Sequence, residues 1–222
     1  MSYKSQSIPI MLLSALAGMF FALQVVAQSD PYTLVGDTTT RVMSVVSTAE
    51  DYVDEDPERY YSQVQEILDP LIDYRGFARK VMGPYASSKR YRSLDEAGRQ
   101  QLKDQLDEFT QIMRLGLVRT YSKGLLAFGD ARIEVETPES IDVVDRISVR
   151  QSIYTDNPQP YIVLYQMGQS KTGDWQLRNV IIESVNLGEI YLDQFLASAR
   201  VHDGNLNAVI KNWTAVTVDV ES

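Results

Sequence analysis

The stretch from Ser93 to Phe128 constrains this chain more than any other. Leu102, Leu106, Phe109, Met113, Leu117 and Tyr121 recur at steps of four, three, four, four and four, the spacing that keeps side chains on one side of an α-helix. A helix with such a stripe has to be covered. Ile112, Leu115, Val118, Leu125 and Leu126 widen the stripe beyond the roughly 100° that a helix resting on one layer needs. The C-terminal half is therefore expected to touch two layers, or a layer and a ligand. Ser93 with Glu96 reads as a capping box, and Asp95 suits the positive end of the helix dipole. Gly116 and Gly124 each cost about 1 kcal/mol against alanine and mark where this half can bend or break.

Upstream, helical spacing runs from Tyr32 to Val53, and again from the cap Asp56-Pro57 through Tyr60, Val64 and Ile67 to the stop at Asp69-Pro70. A third helix is expected over Leu71 to Tyr85, with Phe77, Ala78, Val81 and Met82 on one side and Gly83-Pro84 ending it. Downstream the period changes. Arg132 to Thr137, Ile141 to Tyr154, Pro160 to Met167 and Trp175 to Val185 are β-branched and aromatic runs separated by turn residues, which predicts four antiparallel strands. In the second, Val143, Ile147, Val149 and Ile153 alternate with Arg146, Ser148, Arg150 and Ser152, one face buried and one wet. In the third, Tyr161, Val163, Tyr165 and Met167 share a face, with Ile162 and Leu164 on the other. Leu187 to Ala199 and Asn205 to Trp213 read as closing helices, the first with Ile190, Tyr191 and Phe195 inward. Helices, then strands, then helices predict an α+β fold in which helices lie on one face of an antiparallel sheet.

Lys4, the apolar run Ile8 to Leu23 and the small residues before Gln28 resemble a secretory signal cleaved after Ala27. Residues 1–27 are thus expected to be removed and residues 28–222 to form one domain in a bacterial periplasm, with an uncleaved anchor as the alternative. The chain has no cysteine, hence no disulfide and no thiol chemistry. Loss of the segment removes Lys4 and no acid, moving the net charge from −9 to −10. Such a charge argues against nucleic acid and against general adhesion to anionic membranes.

Catalytic equipment is sparse. His202 is the sole histidine and sits at an expected helix end, so no Ser/His/Asp or Cys/His arrangement can be completed. The acidic residues from Glu50 to Asp56 lack the spacing and central glycine of a calcium loop and read as a solvated linker. No Gly-rich loop follows a strand. Asp73 and Arg79 flank the apolar side of the third helix, where a structural salt bridge is the ordinary reading. The residues alone therefore describe an exported α+β domain with no metal or cofactor.

Three segments in order carry a resemblance: Asp73-Tyr74-Arg75-Gly76-Phe77-Ala78-Arg79-Lys80-Val81-Met82-Gly83, Leu117-Val118-Arg119-Thr120-Tyr121-Ser122-Lys123-Gly124-Leu125, and Trp175 through Leu187 with Tyr191 and Gln194-Phe195. Together they resemble the MlaC family, also called toluene-tolerance proteins, over nearly the whole chain after the leader. Gly98, Asn179, Ser184 and Leu192 depart from the residues usual there. The resemblance implies a periplasmic, non-enzymatic carrier that holds phospholipid acyl chains in an apolar cavity between sheet and helices. It implies partners as well: an inner-membrane ABC transporter with a periplasmic substrate-binding subunit and an outer-membrane lipoprotein-porin complex, working together to maintain outer-membrane lipid asymmetry. The expected lining is Phe77, Val81, Met82, Phe109, Met113, Leu117, Tyr121, Val163 and Tyr165, with phospholipid as cargo. Two alternatives stay open: a lipid-modifying enzyme using carboxylates such as Asp73 or Glu183, and an interaction module whose apolar stripes fill an ordinary core.

Overall fold

The computed structural model describes residues 30–140 and 144–214. The leader segment and Val143 lie outside them. Seven α-helices and five strands follow in chain order: α1 (Pro31–Ala49), α2 (Pro57–Leu68), α3 (Tyr74–Met82), α4 (Ser88–Ser93), α5 (Glu96–Leu125), β1 (Arg132–Val135), β2 (Arg146–Tyr154), β3 (Tyr161–Gln169), β4 (Trp175–Ile182), β5 (Val185–Asn186), α6 (Leu187–Val201) and α7 (Leu206–Lys211).

The helix starts are set by capping side chains. Asp30, Asp56, Asp73, Asp95, Asn186 and Asn205 each accept a bond from a first-turn backbone N–H of the helix they precede. At α5 the cap is Asp95, which accepts from the Gly98 N–H at 2.8 Å. Ser93 instead ends α4, its hydroxyl donating to the Arg90 carbonyl at 2.7 Å. The reason is the extended Leu94, ψ 151°, which separates the two helices. α5 then runs 30 residues, about 45 Å, without interruption through Gly116 and Gly124. α3 is shorter than expected because the chain from Leu71 to Asp73 is extended: Leu177 N–H donates to the Leu71 carbonyl and Asp73 N–H to the Leu177 carbonyl. α3 stops at Gly83, whose φ of +53° suits only glycine.

The sheet is an antiparallel meander in the order β1-β2-β3-β4-β5. The fifth strand is a two-residue piece split from the expected fourth by the turn at Glu183-Ser184, where Glu183 takes φ +56°. Register places Ile147, Val149, Gln151 and Ile153 opposite Met167, Tyr165, Val163 and Tyr161, and those in turn beside Leu177, Val180 and Ile182. This is the inner face, apolar except for Gln151. The outer face carries Arg146, Ser148, Gln166, Gly168 and Asn179. Ser152, expected to be wet, is buried on that outer face.

α1, α3 and α6 meet the sheet, while α5 packs on α2, α3 and α7. The largest core cluster joins α3, α5, α6 and α7 through Phe77, Phe109, Tyr191, Phe195 and Val209, with Trp213 just beyond α7. A second gathers α1 and α2 around Val118, and a third lays Tyr32, Val35 and Leu71 on the inner sheet face.

Candidate functional site

The nine expected lining residues fall into two groups. Phe77, Val81 and Met82 of α3 and Phe109 and Met113 of α5 share the main cluster, none more than 7% exposed. Phe109 stacks edge-on against Phe195 at 5.2 Å and Trp213 at 5.0 Å, so this end of the interior is filled by rings. One and two turns further along α5, Leu117 and Tyr121 are only half-buried at the margin of that cluster. On the inner sheet face Val163 is buried, while Tyr165, Val180 and Ile182 are half-buried.

This second group is accessible and yet desolvated. Burial pushes the Tyr165 hydroxyl far above the usual tyrosine range. The Tyr121 hydroxyl is raised in the same direction, first by burial and then by Tyr191, whose hydroxyl lies 3.5 Å away. Tyr165 donates to Gln151 Oε1 at 2.8 Å, and Gln151 Nε2 donates to Thr39 Oγ1 at 2.8 Å, tying the sheet to α1 and satisfying the one polar side chain of the inner face. Half-buried apolar residues of the C-terminal half of α5 and of the inner sheet face thus border the same main cluster, each set incompletely covered. Arrangements of this sort take up hydrocarbon, since each buried CH₂ is worth about 0.8 kcal/mol.

The carboxylates considered for catalysis are engaged otherwise. Asp73 caps α3 through the Gly76 N–H at 2.9 Å and pairs with Arg178 rather than with Arg79, because the extended Leu71–Asp73 segment holds it beside β4. Glu183 accepts from the Ile162 N–H at 2.5 Å, fastening the β4–β5 turn to β3. His202 forms the C-terminal cap of α6. Among the described residues no group of three or more His, Cys, Asp or Glu is placed to hold a metal, and no helix is long and apolar enough to cross a membrane.

The outer face was not singled out by the spacing of residues. There a solvent-open cleft of about 980 Å³ runs between β2–β4 and the polar stripe of α3 at Gly76, Arg79, Lys80 and Gly83. The sequence signal for it is the segment from Tyr74 to Leu94, where Arg75, Arg79, Lys80, Lys89, Arg90 and Arg92 occur with no acidic residue.

Comparison with known proteins places these features among relatives. The family model described as MlaC protein matches residues 36–215. Toluene tolerance protein ttg2D of Pseudomonas putida is 26% identical over 193 residues, covering 87% of this chain and 84% of that protein. The intermembrane phospholipid transport system binding protein MlaC of Haemophilus influenzae is 20% identical over 193 residues, 86% of this chain and 76% of its own length. In fold, the chain is similar to a phospholipid-binding protein from Ralstonia solanacearum solved in complex with a phospholipid, at a TM-score of 0.62 and 17% identity, covering 82% of this chain and 94% of that one.

Proposed function

The chain belongs to the MlaC family, and from that premise we propose that it is a phospholipid carrier whose acyl-chain site lies between the C-terminal half of α5 and the inner face of the sheet. One observation carries the placement: Leu117, Tyr121, Tyr165, Val180 and Ile182 are half-buried, while the two tyrosine hydroxyls among them are strongly desolvated. Partly accessible apolar residues beside hydroxyls withdrawn from water support a sheltered apolar site there. Phe77, Val81, Met82, Phe109 and Met113 form the packed end wall of that space. The headgroup stays toward solvent, since the inner face offers no charge to hold it.

On this reading the protein transfers phospholipid between an outer-membrane complex and an inner-membrane ABC transporter, works in the periplasm after loss of residues 1–27, and catalyses no reaction. Carriage requires release, and a partner shifts the equilibrium between holding and open states only by its differential affinity for them. The similarity to a relative named for intermembrane phospholipid transport supports the route. Native mass spectrometry of gently purified protein is the test. The expected spectrum shows intact phospholipid bound, and a Leu117→Asp exchange removes it. Lipid-free protein, or lipid recovered in cleaved form, would overturn the proposal.

A further inference from the structure

The cleft on the outer face continues into a second one. The larger cavity, about 980 Å³, and a neighbour of about 490 Å³ share Asp73, Gly76, Arg79, Ala86 and Ser88, so together they make one bent groove that wraps the exposed side of α3. One arm runs over the outer sheet face and is lined by Lys80, Arg146 and Arg178. The other runs between α3, α4 and α5 and is lined by Arg75, Arg92 and Lys103. Arg79 stands where the arms meet. Among the described residues only Asp73 and Asp145 line the groove with opposite charge. Arg178 is paired with Asp73 and Arg75 with Asp107. Among the described residues Arg79, Lys80, Arg92 and Arg146 take part in no ion pair.

This concentration stands against the rest of the molecule. The chain carries net charge −9, yet the groove is strongly cationic. Charge segregated in this way steers and orients an oppositely charged partner even when the net charge repels it. Shape then decides what kind of partner. A flat anionic bilayer cannot enter a bent groove, and its surface would meet the acidic remainder of the molecule. An extended acidic chain segment can lie along it, with guanidinium groups on both walls to take carboxylates.

We propose that the groove around α3 docks an acidic segment of a partner protein. Most of the sheet residues that line it, Arg146, Ser148, Gln166, Gly168 and Asn179, belong by register to the face opposite the proposed lipid space, with Ile147 and Met167 of the inner face reaching its border. The inference therefore stands whether or not lipid is the cargo. It also gives α3 two faces, with Phe77, Ala78 and Val81 in the core and Gly76, Arg79 and Lys80 on the groove.

Fluorescence anisotropy on the purified full chain tests the proposal, using a labelled twelve-residue peptide of alternating glutamate and serine beside its glutamine-serine counterpart. The glutamate peptide is expected to bind and the glutamine peptide not to. The triple exchange Arg79→Gln, Lys80→Gln, Arg146→Gln should weaken binding at least tenfold. Arg119→Gln, at a cation paired with Glu58 away from the groove, should leave it within twofold. Bound lipid, measured by native mass spectrometry on the same variants, should be unchanged, which separates failure here from failure of the carrier reading. Three results would overturn the proposal: equal binding before and after the triple exchange, binding to vesicles containing anionic phospholipid that the exchange abolishes, or a dimer that the exchange dissociates.

Discussion

Truncating Phe109 and Leu117 to alanine, one at a time, separates packed core from cargo space. The two residues lie on one stripe of α5, and their surroundings differ. Phe109 is 0% exposed and stacks on Phe195 and Trp213, so its removal opens a void among rigid rings and should cost about 3–5 kcal/mol. Against a typical total of about 5–15 kcal/mol the variant still folds. Leu117 is half-buried, so without lipid its truncation removes few protein contacts and should cost about 1 kcal/mol, well below the roughly 2–5 kcal/mol of a fully buried leucine. With lipid bound as proposed, the two costs draw closer. Three carbons that had touched acyl chain are gone, and at half contact this removes about 1 kcal/mol of lipid affinity, close to a fivefold rise in Kd. The assay is urea denaturation of delipidated and lipid-loaded protein, in which lipid raises stability according to its concentration and affinity. Phe109→Ala should lower both curves equally, whereas Leu117→Ala should shrink the gap between them. If Leu117→Ala proves as damaging as Phe109→Ala without lipid and leaves the lipid increment intact, the stripe is core along its whole length and the reasoning fails.

Two further outcomes follow from local geometry. Gly83→Ala should destabilise by about 1–3 kcal/mol, because φ is +53° and a Cβ would stand 2.6 Å from Leu192 Cδ1. Gly36→Ala, in the interior of α1 with nothing within 4 Å of the new methyl, should stabilise by about 1 kcal/mol, and urea midpoints of the two variants would show the opposite signs. Tyr60 has its hydroxyl pushed up to about 12, first by burial and then by Tyr52 and Tyr61. A raised tyrosine value means that its contribution is complete below pH 10 and is lost as pH rises through about 12. Tyr60→Phe should remove that part of the alkaline loss, seen as a flatter melting temperature between those limits. At neutral pH it should cost about 1 kcal/mol for the 2.8 Å bond to the Ser122 carbonyl.

Local signals were legible where one residue does one job. Asp56-Pro57 and Asp69-Pro70 bracket α2 almost to the residue, since a cap with a first-turn proline leaves the backbone little choice. At the start of α5 the capping box read at Ser93 lies two residues before the actual cap, Asp95, and the difference is due to α4, which buries no residue and so leaves no apolar period to read. Ser152 is buried although its neighbours on that face, Ser148 and Arg150, are exposed, a tertiary matter that alternation cannot encode. The stripe from Leu102 to Tyr121 was visible as one feature, but its division after Met113 into a buried and a half-buried part depends on rings brought in from α6 and from Trp213 beyond α7, about a hundred residues away. The outer groove needed the register of three strands and the seating of α3 beside β4. Its only trace in the sequence was a run of basic residues free of acids.

The sheet presents one almost wholly apolar face, and that makes the treatment of its two edges consequential. Unpaired strand edges are templates on which a neighbouring molecule can add its own strand. Here β1 closes one side with four residues, and its outward Arg132 and Glu134 are paired with each other. On the other side β5 covers the end of β4 for two residues, and the extended Leu71–Asp73 segment covers it around Leu177. What stays open among the described residues is short: the far side of the four-residue β1, and the start of β2 at Arg146–Val149, which β1 does not reach. For a carrier of the kind proposed, which would expose greasy interior surface at times, edges this short limit fibre-like growth and leave encounters to side chains rather than to the indiscriminate pairing of main chains.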